Sequence, residues 1–232
     1  MSSFSVRHAA VTDRGRVRSR NEDAVRADAG NRLYVVADGM GGHPAGDVAS
    51  ELAVEVVFDR LAGLGPDADA EEVREGLHGA VAAAGRRILE EGRHDPERRG
   101  MGTTATALLV RDGRWTVAHV GDSRGYLYRA GELDQVTVDH TTFPGSNTLT
   151  RALGTQEAPD PDLYDGELRD GDLFLLCTDG LNKVFGDEEL AERLSSLDGA
   201  GGDGTARDGG AAAGDEGRDV APGELETVVR DL

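Results

Sequence analysis

Apolar residues change their spacing several times along the chain, and each spacing predicts a different element. The uninterrupted apolar run at 33–38 is too short and too rich in β-branched residues to favour a helix, so it predicts a buried strand. Two stretches with apolar residues every three or four positions follow. The first has Val48, Leu52 and Val56 on one face, and the second covers 70–91. They predict two consecutive helices.

A β pattern returns after the second of these helices. Segments 103–110 and 115–120 flank an Asp-Gly pair that is typical of a hairpin turn. Segment 125–133 predicts a further strand with an Ala-Gly turn, 172–180 repeats the pattern of the first strand, and 187–197 predicts a short helix. Consecutive helices between hairpin-linked strands favour an α+β fold, with antiparallel sheet layers and helices packed outside them.

The last part of the chain has a different composition. Residues 198–223 contain nine glycines, several acids and almost no large apolar side chain. Such a stretch buries too little surface to offset its ordering entropy, so it predicts a mobile loop. The segment 227–232 predicts a terminal strand. With a length that suits one large core, we expect a single domain over 1–232.

Charge and cysteine content exclude several classes of partner. A net charge of −19 and a pI near 4.6 argue against nucleic acid and anionic membranes, because binding to both depends on Lys and Arg. Cys177 is the only cysteine, so an intramolecular disulfide is excluded. No secretory signal and no apolar run of membrane-spanning length is present. A soluble cytoplasmic protein is expected.

Two apolar runs end in the same dipeptide, Asp-Gly, at Asp38 and at Asp179. If the two strands are neighbours, these carboxylates converge and require a cation, and clustered hard oxygen ligands favour magnesium, manganese or calcium. The carbonyl of Gly39 is a further candidate ligand, since no side chain blocks it. Asp-Gly is also the commonest turn dipeptide, so a plain turn is the alternative at each position.

Two other polar groups accompany these strand ends. Upstream, Arg18 offers a planar fork suited to phosphate, while Glu22 and Asp23 are adjacent acids suited to the water shell of a metal. Their alternative is a charged loop with surface ion pairs. Asp122 follows another predicted strand, where a turn or cap formed with Ser123 is the alternative.

Dinucleotide binding is a weaker interpretation of the glycines that follow Asp38. The segment 39–44 does not complete the GxGxxG spacing, and Pro44 lacks an amide that would donate to phosphate.

Seven short motifs occur in one order along the chain, and together they resemble the PPM-type, or type 2C, metal-dependent serine/threonine phosphatases. The motifs are RSRNED (18–23), DGMGGH (38–43), GTTA (102–105), GDSRGY (121–126), VDH (138–140), TRALG (150–154) and LLCTDGL (175–181). The resemblance covers the chain up to about residue 190. It implies a four-layer α-β-β-α sandwich with two central antiparallel sheets.

The resemblance also implies a cleft with two Mn²⁺ or Mg²⁺ ions. Asp38 would bridge both ions. The carbonyl of Gly39 and the water network of Glu22 would serve one ion, and Asp179 would serve the other. Asp122 would help to hold a weaker third ion.

The remaining roles concern the substrate and the attacking water. By the same resemblance Arg18 would hold the phosphoryl group and Asp23 would orient water. Two cations lower the pKa of a bound water from about 15.7 toward roughly 7 and neutralise phosphate charge, so no side-chain nucleophile is required. Cys177 is therefore expected to pack in the core. No metal-ligand role is assigned to the histidines His43, His119 and His140, and Met40 occupies the position where some relatives have histidine.

The C-terminal region departs from the family pattern. The family normally has an Asp-Asn pair just before a final Thr-Val-Val strand, whereas residues 224–226 here read Glu-Leu-Glu. Asp219 is one candidate for the missing metal ligand and Glu224 is the other. In addition, the segment 141–149 is shorter than usual, and the glycine-rich stretch replaces the helix expected before the last strand.

Three hypotheses follow from the sequence. The first is a monomeric, metal-dependent hydrolase that removes phosphate from phosphoserine or phosphothreonine in a protein, in a pathway with a bacterial serine/threonine kinase. The second is a pseudophosphatase, a phosphoprotein-binding module with weakened metal binding and little turnover. The third is an interaction domain whose acidic residues only keep it in solution.

Overall fold

The structure is a computed structural model that describes residues 5–40, 45–65, 67–155, 157 and 160–198. This part of the protein contains eight strands and four α-helices. A short 3₁₀ turn, Pro96–Arg98, follows the second helix. The helices are α1 Gly46–Leu61, α2 Ala70–His94, α3 Asp179–Asn182 and α4 Asp187–Asp198. The strands are β1 Asp23–Asp28, β2 Leu33–Asp38, β3 Ala105–Arg111, β4 Arg114–Val120, β5 Arg124–Arg129, β6 Glu132–Gln135, β7 Asp162–Glu167 and β8 Leu173–Cys177.

The strands form two sheets in which every neighbouring pair is antiparallel. The larger sheet has the order β1-β2-β3-β4-β7, and the smaller has the order β6-β5-β8. The prediction of antiparallel layers is confirmed.

The central strands are buried on both faces, which explains why they read as continuous apolar runs. In β3, Ala105, Ala107 and Leu109 face the core shared with α1 and α2. Leu108 and Val110 point the other way, into the core between the two sheets. Side chains alternate across a strand, so a strand between two apolar layers needs apolar residues at every position.

Helices cover the outer faces of the paired sheets. Helices α1 and α2 pack on the larger sheet. Between the sheets, Trp115 meets Phe174 edge to face at 5.6 Å between ring centroids. On the far side, Leu190 of α4 packs against Tyr126 and Cys177 of the smaller sheet. The four layers are therefore α-β-β-α, as the family resemblance implies.

Two tight turns follow the residues that sequence analysis singled out. Asp112 and Gly113, between β3 and β4, both have positive φ, at 48° and 72°. Ala130 and Gly131 do the same between β5 and β6, at 51° and 91°. Such turns match the twist of the flanking strands. The stretch predicted as 125–133 is thus two strands joined by the Ala-Gly turn.

Helix α2 has a strong N-terminal start. The Asp69 side chain accepts from the amides of Glu71 and Glu72, and the Glu72 side chain accepts from the amide of Asp69, all at 2.9 Å. This reciprocal cap satisfies donors that the first turn leaves unpaired. The helix ends at His94, beyond the predicted end at residue 91.

The fold differs from the sequence-based prediction in two further ways. Strands β1 and β7 were not predicted. The predicted strand at 172–180 is shorter than expected, because β8 ends at Cys177 and Asp179 opens the one-turn helix α3, which was not predicted. The predicted glycine-rich loop beyond residue 198 and the predicted terminal strand lie outside the described residues. Among the helices of the described part, none combines the length and apolar character needed to cross a bilayer.

Candidate metal centre

The open end of the β1–β2 hairpin brings two carboxylates together. Asp23 is the first residue of β1 and Asp38 is the last residue of β2, and the two are directly paired in the antiparallel register. Directly opposed residues project their side chains from the same face of a sheet. Asp23 and Asp38 therefore lie side by side at the open end of the hairpin, although the whole hairpin separates them in the chain.

A third strand end reaches the same place from the smaller sheet. The Thr178 hydroxyl donates to Oδ2 of Asp23 at 2.8 Å. Asp179 follows directly and begins α3. Asp122, two residues after the end of β4, completes a group of four acids from distant parts of the chain. We call Asp23, Asp38, Asp122 and Asp179 the acidic cluster.

The strongest electrostatic effect falls on Asp38. Burial, together with the negative charges of Asp23, Asp179 and Asp122, raises the pKa of its carboxyl to about 8. A hydrogen bond with Asp23 acts in the same direction. A carboxylate in this position is unfavourable without a nearby cation.

Two other members of the cluster show the same tendency. Burial raises the pKa of Asp23, and the charge of Asp179 adds to the increase. The hydrogen bond from Thr178 acts in the opposite direction. Burial and the charge of Asp179 likewise raise the pKa of Asp122. Over the described ranges, no three acidic or histidine side chains are close enough together to enclose an ion.

Hydroxyl side chains hold the backbone around Asp38. The amide of Asp38 donates to Oγ1 of Thr104, and its carbonyl accepts from the Thr104 amide and from Oγ1 of Thr103, each at 2.9 Å. Oγ1 of Thr104 lies 2.7 Å from Oγ of buried Ser123, which adjoins Asp122. Residues of the GTTA and GDSRGY motifs therefore hold the backbone of Asp38 and the segment next to Asp122 in place.

Gly39 is required by close packing. Its amide donates to the carbonyl of Glu22 at 2.9 Å. A Cβ atom at this position would lie 2.2 Å from the carbonyl oxygen of Gly46 and 2.6 Å from that of Glu22. The hydroxyl of Ser50 in α1 also donates to the Glu22 carbonyl, at 2.6 Å. This junction fixes the start of α1 against the end of β2.

Arg18 and Glu22 lie at the rim of the centre. An Nη1 atom of Arg18 is 3.7 Å from Oε2 of Glu22, and the Arg18 side chain is 68 % exposed. Its charge also lowers the pKa of Asp23, against the effect of burial. An exposed guanidinium with one long ion pair is free to contact another anion.

His140 holds the loop that carries Asp122. Its backbone amide donates to the carbonyl of Gly121 at 2.7 Å, and its Nδ1 accepts from the Gly121 amide at 3.1 Å. Since Nδ1 accepts, the proton lies on Nε2, which donates to Asp162 at 3.0 Å. Asp162 is fixed in turn by Arg151 at 2.6 Å and 3.0 Å. His140 is therefore a positioning residue rather than a ligand.

Replacing His140 by alanine is expected to lower the free energy of unfolding by about 1–3 kcal/mol, because the Gly121 amide loses its partner inside the protein. The amide of Gly121 is also expected to exchange with solvent faster. His140→Asn retains an acceptor near the Nδ1 position and is expected to recover part of both effects. Chemical denaturation and hydrogen exchange test this; an unchanged exchange rate at Gly121 in His140→Ala would contradict it.

Sequence reasoning missed Lys183 and Thr178. Lys183 pairs with Asp179 from one helical turn further on. A cue for it was present, since it is the only lysine of the chain and lies four residues after Asp179. No local pattern marks Thr178 as a partner of Asp23, because 155 positions separate them.

Other residues considered at the start have these positions. Cys177 is buried in the core, as predicted, and burial raises the pKa of its thiol to about 12. His119 is buried beside Thr106, with Nδ1 2.9 Å from Oγ1. The amide of Met40 donates to the carbonyl of Gly102 at 3.0 Å. The residues His43, Pro44, Asp219 and Glu224 lie outside the described part.

The chain is similar to known bacterial phosphatases in sequence and structure. It is 41% identical over 206 residues to the serine/threonine protein phosphatase PstP of Mycobacterium tuberculosis, covering 82% of this chain and 39% of that protein. It is 36% identical over 205 residues to the serine/threonine phosphatase stp of Listeria monocytogenes, covering 80% of this chain and 81% of that protein.

A solved structure, the catalytic domain of PstP in complex with two manganese ions, superposes with a TM-score of 0.71 at 42% identity. This match covers 82% of this chain and 84% of that one. The chain spans about two fifths of the full-length mycobacterial relative. The sequence model described as Protein phosphatase 2C matches residues 13–202. The chain therefore belongs to the protein phosphatase 2C family.

Proposed function

We propose that this protein hydrolyses the phosphate esters of phosphoserine and phosphothreonine in proteins, with two divalent ions, Mn²⁺ or Mg²⁺, held by the acidic cluster. The main observation behind this proposal is that Asp38 lies among three other carboxylates and has a raised pKa, so its ionised form requires nearby cations. The donors are hard oxygens, and these suit Mg²⁺ and Mn²⁺. The relatives named as serine/threonine phosphatases, one solved with two manganese ions, support the same reaction.

The ligand assignment follows the family motifs onto these residues. Asp38 would hold both ions. The carbonyl of Gly39 and the water network of Glu22 would serve one ion, and Asp179 would serve the other. Asp122 would help to hold a weaker third. The contacts of Gly39 with Glu22 and of Thr178 with Asp23 support this arrangement, because they tie the strand ends together.

The side chains around the ions have separate tasks in the reaction. When bound, the ions supply a water of lowered pKa and positive charge against the phosphate oxygens. Arg18, exposed at the rim, binds two phosphoryl oxygens through its planar fork. Asp23, held by Thr178, accepts a hydrogen bond from the attacking water and directs it. No protein nucleophile is needed, and the thiol of Cys177 stays protonated.

The pseudophosphatase hypothesis has no observation in its favour. It depends on the altered motif at 224–226, which is outside the described residues. Asp219 and Glu224 stay candidates for a further ligand. A serine/threonine kinase as functional counterpart, a cytoplasmic location and a monomeric state also stay predictions.

Hydrolysis of p-nitrophenyl phosphate with excess Mn²⁺ tests the reaction, and paired phosphoserine, phosphothreonine and phosphotyrosine peptides test the substrate class. We expect turnover of the first two peptides, loss of activity to background with EDTA, and recovery when Mn²⁺ is added back. Activity that survives complete removal of metal would refute the mechanism. A preference for phosphotyrosine would refute the substrate assignment.

A further inference from the structure

Lys183 brings a fixed positive charge into the acidic cluster. Its ammonium group forms an ion pair with Oδ2 of Asp179. The pair joins residues four apart, and the Lys183 amide donates to the Asp179 carbonyl at 3.1 Å, so both belong to one helical turn. The backbone geometry therefore keeps the ammonium within reach of this carboxylate.

The charge of Lys183 acts on more than one member of the cluster. It opposes the effects of burial and of Asp179 on Asp122, and so limits the rise in the pKa of that carboxyl. Arg18 acts on Asp23 and pairs with Glu22 instead. Lys183 is thus the counter-ion on the Asp179 side of the centre.

We propose that Lys183 is a tethered competitor for the metal ion that Asp179 binds. This inference rests on the proposed metal centre. An ammonium group on Oδ2 takes up acceptor capacity that a divalent ion would use, and the two cations repel each other at short range. Binding of the ion to Asp179 is therefore favoured when Lys183 moves away.

Displacement is feasible because the pair is only half-buried. The Lys183 side chain is 47 % exposed, and that of Asp179 is 33 % exposed. A flexible four-carbon stem lets the ammonium swing into water, where it is strongly hydrated. Exposed ion pairs are weak, so the competition lowers metal affinity without blocking the site. Lys183 sets the concentration of divalent ion at which the centre fills.

Titration calorimetry of the metal-free protein with Mn²⁺ tests this proposal directly. Lys183→Met removes the charge and keeps the length and flexibility of the stem. We expect it to bind Mn²⁺ roughly three- to tenfold more tightly than the wild type, as loss of a weak competing ion pair implies. Lys183→Arg, which keeps the charge, is expected to bind like the wild type.

Arg87→Met is the matched control. Arg87 also forms an ion pair four residues along a helix, with Glu91 at 2.6 Å, and its loss changes the net charge by the same amount. We expect no change in Mn²⁺ affinity. Equal tightening in Arg87→Met and Lys183→Met would show a general charge effect and overturn the proposal. Unchanged or weaker binding in Lys183→Met, or no binding by any of these proteins, would overturn it as well.

The single lysine allows a second measurement that needs no substitution. Lysine labelled with ¹³C at Cε gives one side-chain NMR signal for this chain. We expect the signal to shift when Mg²⁺ is added, because the ammonium leaves Asp179; a signal unaffected by saturating Mg²⁺ would overturn the proposal. Hydrolysis is assayed separately. Metal binding that tightens in Lys183→Met without any phosphatase activity would refute the proposed function alone.

Discussion

Asp38→Asn is expected to abolish phosphatase activity and, at the same time, to stabilise the metal-free protein near neutral pH. Activity should fall by about 10²–10³-fold or more, because the variant lacks the carboxylate assigned to bridge both ions. Stability should rise because ionising Asp38 costs free energy in a buried site among three other acids. Asparagine has nearly the same shape and carries no charge.

The stabilisation is expected to depend on pH in a defined direction. The Asp38 carboxyl has an ordinary pKa of 3.8, and in the folded protein its pKa is about 8. Between these values the folded state binds the proton more tightly than the unfolded state. The free energy of unfolding of the metal-free wild type therefore falls as pH rises from about 4 to about 8. The advantage of Asp38→Asn should grow across this window and level off above it.

Thermal unfolding in EDTA at a series of pH values measures this effect. A gain of about 1 kcal/mol corresponds to a rise in Tm of about 2–4 °C for a chain of this size. Asp170→Asn is the control, since Asp170 is an exposed carboxylate in the turn before β8, at the end of that strand away from the acidic cluster. It should change neither activity nor Tm. A metal-free Asp38→Asn protein that is less stable than the wild type near pH 8 would contradict the electrostatic account.

Gly39→Ala is expected to cost several kcal/mol of stability and at least about 10²-fold in activity. The added Cβ would lie 2.2 Å from the Gly46 carbonyl oxygen and 2.6 Å from that of Glu22. Both neighbours are backbone atoms, so neither can rotate away, and the start of α1 must move from the end of β2. A displacement of about 1 Å at Asp38 is enough to account for the lost activity.

Gly79→Ala provides the opposite result with the same chemical change. Gly79 lies on the exposed face of α2, and no atom comes within 4 Å of its added Cβ. Alanine is a better helix former than glycine, so this variant should gain about 0.5–1 kcal/mol and keep full activity. Denaturant titration and the p-nitrophenyl phosphate assay measure both variants. A Gly39→Ala protein with wild-type stability would show that the junction is looser than described.

The strands that sequence analysis missed share one property. Strands β1 and β7 are the two edges of the larger sheet. An edge strand pairs on one side only and often carries charged residues that discourage further pairing. Asp23, Arg26 and Asp28 interrupt the apolar pattern of β1, so it reads as a charged loop. In contrast, β3 and β4 lie between two apolar layers and were found from their composition.

The site divides in a similar way. Asp38 and Asp179 were singled out because an apolar run followed by Asp-Gly is visible within a few residues, and the remaining candidates came from the family resemblance. The contact of Thr178 with Asp23 and the support of the Asp122 loop by His140 leave no such trace. Each depends on two segments that meet only after the sheets form.

By itself, the sequence determined the central strands, the three longer helices, the tight turns and the acids at or just after the strand ends, because these follow from side-chain spacing and backbone preferences over a few residues. Only the tertiary structure decided which acids face one another, why residue 39 has no room for a side chain, and which carboxylate the Thr178 hydroxyl contacts. Strand order and register determine those contacts, since they set distances between residues that are far apart in the chain.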